Sequence, residues 1–168
     1  EESHGFLMGN HSGDKDGIWA SMAFAEMAAA LKQNKLTPID RLNQIYQQYG
    51  IHLDALGTQT FKGTKGMAKI QQIMRDLRNS PPESVAGQAV VKITDYLENT
   101  IICGNETKQG PGLPQSNVIA LELADNSRIT ARPSGTEPKI KYYFNLQGKD
   151  SAMLNERLAS IQADFIKE

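Results

Sequence analysis

The residues best equipped for chemistry form one unbroken run, Arg132-Pro133-Ser134-Gly135-Thr136-Glu137-Pro138-Lys139-Ile140-Lys141. Ser134 and Thr136 bring hydroxyl donors, Gly135 lets a ligand approach the backbone closely, and Arg132 with Lys141 adds a planar fork and a point charge. Together these groups suit an oxyanion. Pro133 and Pro138 restrict the segment beforehand, so less ordering entropy is lost when an anion arrives. The run lacks the Gly-Lys-Ser/Thr ending and the following helix of a Walker loop. On residue types alone, a rigid hairpin loop carrying surface charges fits it equally well.

A second set opens the chain, Glu1-Glu2-Ser3-His4-Gly5, with Asp14-Lys15-Asp16-Gly17 downstream. Carboxylate and hydroxyl groups at this spacing accept from and donate to vicinal sugar hydroxyls, and Lys15 can meet a phosphate or a ring oxygen. By itself the set reads more simply as a solvated terminal segment followed by a helix N-cap. Other candidates carry less. Asp14-Lys15-Asp16-Gly17 lacks the third acidic position, mid-loop glycine and closing Glu of a calcium loop. His4, His11 and His52 with Cys103 match no zinc spacing, and Cys103 has only Lys108 as a nearby basic partner, so no metal ligand or nucleophile is assigned. Gly63-Thr64-Lys65-Gly66 reads as a capping turn rather than an anion site. Tyr142, Tyr143 and Phe144 alternate, which leaves too little outward aromatic surface for base stacking.

Helices and strands must hold these groups. Asp14 to Gln33 reads as a helix, with acids in its first turn and Ile18, Trp19, Met22, Phe24, Met27 and Leu31 spread around its circumference. Such a helix expects neighbours on several sides, either the domain that follows or a second copy. Thr37, Pro38 and Asp40 predict a capped start for a second helix that Gly50 ends. An extended run follows from Ile51 through Phe61, then a turn at 62–66, then a helix marked by Met67, Ile70, Met74 and Leu77 and stopped at Pro81-Pro82. Ala89 to Tyr96 reads as a strand, and Glu98 to Ser116, with its glycines and prolines, as a mobile loop. Asn117 to Leu123 and Ser127 to Arg132 make a hairpin turning at Asp125-Asn126. Lys139 to Leu146 places Ile140, Tyr142, Phe144 and Leu146 inward, and Leu154, Leu158, Ile161 and Phe165 mark a closing helix. The expected order from about residue 55 is β-α-β-β-β-α, an α+β fold with an antiparallel sheet covered by helices.

The 168 residues suffice for one large domain or two small ones, and 39% apolar with 22% charged residues excludes a wholly disordered chain. Eighteen basic against nineteen acidic residues leave a net charge of −1, so no global field gathers nucleic acid or anionic lipid and any anion site must be local. One cysteine fits a reducing compartment. The apolar stretch Ile18 to Leu31 is too short and too interrupted to span a bilayer. Without an initiator Met, a basic start or an apolar segment behind it, Glu1 reads as the product of processing or, better, as the start of a piece cut from a longer chain.

Taken together, the two sets resemble the α-D-phosphohexomutase family of phosphoglucomutases and phosphomannomutases in order and spacing. Glu1-Glu2-Ser3-His4-Gly5-Phe6-Leu7 with Asp14-Lys15-Asp16-Gly17 is similar to that family's sugar-recognition loop and the helix start behind it. The run from Arg132 to Lys141 is similar to the phosphate-binding loop of its C-terminal domain. The resemblance covers nearly the whole chain. It implies a remnant of the third, α/β domain at 1–52 and the fourth domain, a TATA-binding-protein-like sheet with helices on one face, at 53–168. It further implies that Glu1 and Ser3 contact sugar hydroxyls, that Arg132, Ser134, Gly135 and Thr136 hold the non-transferred phosphate, and that Lys15 sits near substrate. Lys141 stands where relatives often carry arginine, keeping the charge and losing the fork. His4 stands where relatives vary and receives no role. The Glu-Glu-Ser form resembles the glucose-type branch more than the phosphoglucosamine branch.

What this family would supply elsewhere is missing here. Neither its phosphoserine motif nor its Asp-x-Asp-x-Asp-Arg magnesium loop occurs in the sequence. The resemblance therefore implies a C-terminal piece, inactive alone, whose cytoplasmic parent uses Mg2+ and glucose 1,6-bisphosphate and interconverts hexose 1- and 6-phosphates. Its partners would be a hexose phosphate and the parent's other domains, with neither nucleic acid nor membrane. A non-catalytic sugar-phosphate-binding module is the alternative, and a sheet-based nucleic-acid-binding module a more distant one that the charge balance disfavours.

Overall fold

The computed structural model describes residues 5–10 and 13–166. The chain divides into two compact units, Glu1–Gly50 and Ile51–Glu168. Among the described residues they carry four helices and an eight-stranded sheet.

The first unit contains α1 (Gly17–Gln33) and α2 (Pro38–Tyr49). The sequence places the start of α1 at Asp14, but the helix begins at Gly17 because Asp16 is its N-cap. Asp16 is extended, and its carboxylate accepts from the Ile18 and Trp19 N–H groups at 2.9 and 3.1 Å. The start of α2 matches the expectation: Thr37 and Asp40 form a reciprocal capping box. Neither helix buries a residue, and Ile18 is 85% exposed. Within this unit α2 is the element packed beside α1.

The second unit is β1 (Ile51–Thr60), α3 (Thr64–Asn79), β2 (Ser84–Val85), β3 (Gln88–Asp95), β4 (Thr100–Cys103), β5 (Glu106–Gln109), β6 (Ile119–Leu123), β7 (Arg128–Pro133), β8 (Lys139–Gly148) and α4 (Ser151–Phe165). The main path is β1-β8-β7-β6-β3-β4-β5, antiparallel throughout, with β2 paired to β3. Strand β8 alternates as the sequence predicts: Ile140, Tyr142, Phe144 and Leu146 are buried, their neighbours are not. These residues join Ile70 and Met74 of α3 and Leu154 and Ile161 of α4 in one core, so both helices cover the same face of the sheet. Helix α3 starts at Thr64, inside the expected turn. Gly66 is required there, since a Cβ would stand 2.4 Å from the Phe61 carbonyl oxygen.

The expected order β-α-β-β-β-α understates the strands, chiefly between 98 and 116. That stretch is not one loop, for β4 and β5 form a hairpin across it with Cys103 opposite Glu106 and Gly104 at φ +57° in the turn. Its Gly and Pro residues mask the β-branched run Thr100-Ile101-Ile102 and its partner Thr107. The remainder is tied back by Asn99, whose carbonyl and side-chain oxygens accept from Gly110 N–H at 2.7 Å and Gly112 N–H at 3.0 Å.

Helix α4 is fastened by Arg157, which donates from Nε to Asp125 at 2.8 Å and from Nη1 to the Ala86 carbonyl at 2.7 Å. Burial pushes the Asp125 carboxyl up, but hydrogen bonds from Ser127 and Arg157 outweigh it and hold it below the ordinary Asp value. A depressed folded-state value stabilises above the unfolded-state value and is lost as pH falls through the folded one. Arg157→Met is therefore expected to cost about 2 kcal/mol near neutral pH, with the deficit shrinking in acid below the ordinary carboxylate range. Denaturant melts of both chains across that range check this, and a deficit that does not change with pH would contradict it.

Candidate anion site

Strands β7 and β8 converge on the loop 134–138, and their register sets Arg132 directly opposite Lys141. Ala131, Ile140 and Tyr142 face the core. The pleat therefore turns Arg132, Lys139 and Lys141 to the other face, away from the helices. Three cations thus crowd one end of the sheet beside the loop. Arg132 is exposed, and no hydrogen bond or ion pair among the described residues engages its side chain. Thr58 of β1 is opposite Lys141 on its other side, and Thr60 is opposite Lys139, adding hydroxyls along the same face.

The loop is closed by backbone bonds: Ser134 N–H donates to the Lys139 carbonyl at 2.9 Å and Lys139 N–H to the Glu137 carbonyl at 2.7 Å. Pro138 anchors it, its carbonyl accepting from Phe61 N–H at 2.9 Å. Ser134 Oγ lies inside the turn and accepts from Thr136 N–H at 3.4 Å and Glu137 N–H at 3.3 Å. These long bonds leave two N–H groups aimed at one oxygen, the arrangement that an anion oxygen can take over. Nothing stands within 4 Å of where a Gly135 Cβ would be, so the loop is open to an approaching group at that point. The predicted residues Arg132, Ser134, Gly135, Thr136 and Lys141 are thus gathered at one end of the β7–β8 pair.

Two residues that residue type alone does not single out also belong here. Lys139 and Glu137 form an ion pair. Lys139 holds the Glu137 carboxyl below the ordinary Glu value, with Lys141 adding a smaller push in the same direction. The available signal was a pair of opposite charges two residues apart across Pro138.

In the first unit, Phe6 bridges to Asp16, whose N–H donates to the Phe6 carbonyl at 3.2 Å. Lys15 contacts Asp14 at 3.4 Å. Glu1 and Ser3, the expected readers of sugar hydroxyls, lie outside the described residues, as does His4.

Two cavities of about 180 and 300 Å3 open on the helix-covered side, both bordered by Ile73, Leu77, Tyr142 and Phe165. Neither touches the loop. Burial pushes the Tyr142 hydroxyl up to about 12, so it stays protonated and donates to Gln59 at 2.9 Å. Among the described residues no three His, Cys, Asp or Glu side chains are grouped to hold a metal. The described residues therefore offer no group that fits a magnesium ion. No helix among the described residues is long and apolar enough to cross a membrane.

Residues 1–49 match the family profile described as phosphoglucomutase/phosphomannomutase, alpha/beta/alpha domain III. Over 151 residues, 89% of this chain and 27% of the relative, the sequence is 40% identical to a phosphoglucomutase of Staphylococcus aureus strain MRSA252. A second, from strain COL, is 40% identical over 148 residues, again 27% of its length. The chain spans about a quarter of the length of the curated relatives it matches. Its fold is similar to that in the crystal structure of the exocytosis-sensitive phosphoprotein pp63/parafusin, a phosphoglucomutase from Paramecium, in an open form. That likeness has a TM-score of 0.55 and 21% identity, over 92% of this chain and 26% of the other.

Proposed function

We propose, from this chain's membership of the phosphoglucomutase/phosphomannomutase family, that it is the substrate-holding C-terminal part of a cytoplasmic mutase interconverting hexose 1-phosphate and hexose 6-phosphate. The unit that begins with β1 at Ile51, two residues ahead of the expected boundary at 53, is the phosphate-binding domain, and the residues before it are the end of an α/β domain that reads the sugar. The observation that carries this reading is the cationic loop: Arg132 and Lys141 in register, with the N–H groups of Thr136 and Glu137 turned toward Ser134 Oγ. In that reading Arg132 and Lys141 hold the spectator phosphate, Ser134, Gly135 and Thr136 donate to its oxygens, Lys15 approaches the substrate, and Glu1 and Ser3 take the sugar hydroxyls.

The work of this part is positioning. A mutase must present either end of its substrate to one reactive group, so a clamp that holds whichever phosphate is not reacting serves both half-reactions. Phosphoryl transfer would depend on residues outside this chain, where Mg2+ and the phosphoryl donor belong, and glucose 1,6-bisphosphate would be the form in transit.

Calorimetric titration with glucose 1-phosphate and with glucose 6-phosphate tests the reading. Both esters are expected to saturate one site and compete with inorganic phosphate, free glucose to bind far more weakly, and a coupled assay with Mg2+ and glucose 1,6-bisphosphate to give no turnover. Absence of saturable binding by either ester would sink the clamp, and turnover would place the phosphoryl donor within this chain.

A further inference from the structure

We infer that Glu137 is a built-in competitor for the anion site, a carboxylate that sits in the cationic field of the loop and sets how tightly a phosphate can bind. The inference rests on the phosphate-clamp reading above and adds a residue that works against the ligand.

Glu137 belongs to the loop twice over. Its backbone N–H is one of the two aimed at Ser134 Oγ. Its carboxylate is paired with Lys139, which shares a face with Arg132 and Lys141. Three donors of this turn thus already have an internal stand-in: the Ser134 oxygen for the N–H groups of Thr136 and Glu137, and the Glu137 carboxylate for the Lys139 ammonium. An arriving phosphate must take both places. It draws the two N–H groups from Ser134 Oγ, whose hydroxyl can then turn and donate, and it meets a negative charge already among the cations it needs.

The chemistry predicts a sign that a purely structural ion pair would not. Were Glu137 only a brace for Lys139, its removal would loosen the loop and weaken binding. As a competitor, its removal frees a cation and lifts a repulsion, and binding tightens. Both partners are partly or largely exposed, so the effect is that of a screened unit charge, several-fold rather than thousand-fold. The carboxylate also gives the site a bias against weakly charged anions. A dianionic ester can outbid it for the cations, whereas a monoanion such as a sugar carboxylate has no advantage over it.

Titration of the 168-residue chain and of Glu137→Gln with inorganic phosphate and with glucose 6-phosphate, at two ionic strengths, tests the proposal. Glu137→Gln is expected to bind both probes about threefold to tenfold tighter at low salt, with a steeper loss of affinity as salt rises, while Lys139→Gln binds more weakly than the unmodified chain. Thermal melts accompany the titrations, so that a folded Glu137→Gln chain with equal or weaker affinity would overturn the role given to Glu137 and leave the clamp standing. If neither chain bound either probe, the clamp and the competitor would fall together.

Discussion

Alanine at Arg132 is expected to lower the affinity for a hexose phosphate about tenfold to 150-fold, or roughly 1.5 to 3 kcal/mol, the span of a hydrogen bond to a charged group. Within the chain itself the Arg132 side chain does little. Its side chain is exposed and engaged by no partner among the described residues, and it is opposite Lys141 at the mouth of the loop. Deleting it therefore removes ligand contacts without breaking anything internal, and the melting temperature should stay where it was. Arg132→Lys is expected to recover only part of the loss, because an ammonium keeps the charge and not the fork that grips two oxygens. Calorimetric titration of the three chains with glucose 6-phosphate decides. Affinities within twofold of one another would take Arg132 out of the site.

That site was largely legible in the sequence because its residues are contiguous. Arg132 to Lys141 is one run, and strand alternation either side of a short loop is enough to set Arg132 and Lys141 on one face. What residue types did not reveal is how the loop satisfies itself. The bonds from Thr136 and Glu137 N–H to Ser134 Oγ and the pairing of Glu137 with Lys139 depend on the loop's path, which Pro138 and its bond to Phe61 fix. The fold was legible where the pattern is clean. Thr37 and Asp40 located α2, and the alternation of Ile140, Tyr142, Phe144 and Leu146 located the core face of β8. It was hidden where punctuating residues flank short strands: Gly104 and Gly110 bracket β5, whose residues are all exposed and show no apolar alternation. Strand β5 is at the end of the sheet, paired on one side only, so its sequence is set by solvent rather than by a core.

Phe144→Ala is expected to be the most destabilising single change in the second unit, costing about 3 to 5 kcal/mol. Phe144 is wholly buried, paired across β8 with Ala55 of β1 and Ile129 of β7, and one of its ring carbons would be 3.1 Å from a Cβ at position 57. Glycine at 57 leaves room for that ring, so truncation opens a cavity that the glycine cannot fill. Against a total stability of about 5 to 15 kcal/mol for a domain of this kind, the loss takes a large fraction of the whole, and for the unit Ile51–Glu168 it corresponds to a drop in melting temperature of roughly 10 to 20 °C. Denaturant unfolding should show a lower midpoint with an unchanged slope, and a midpoint that did not move would mean the core closes over the gap. The same variant separates the two faces of the sheet. Lys141 and Phe144 share strand β8 but point to opposite sides, so the molecules that remain folded should bind glucose 6-phosphate with the affinity of the unmodified chain. Arg132→Ala is expected to do the reverse, moving affinity and not melting temperature. If Phe144→Ala weakened binding while still folded, the clamp would depend on core packing beneath it, and strand alternation would no longer account for how one sheet keeps its stability on one face and its ligand on the other.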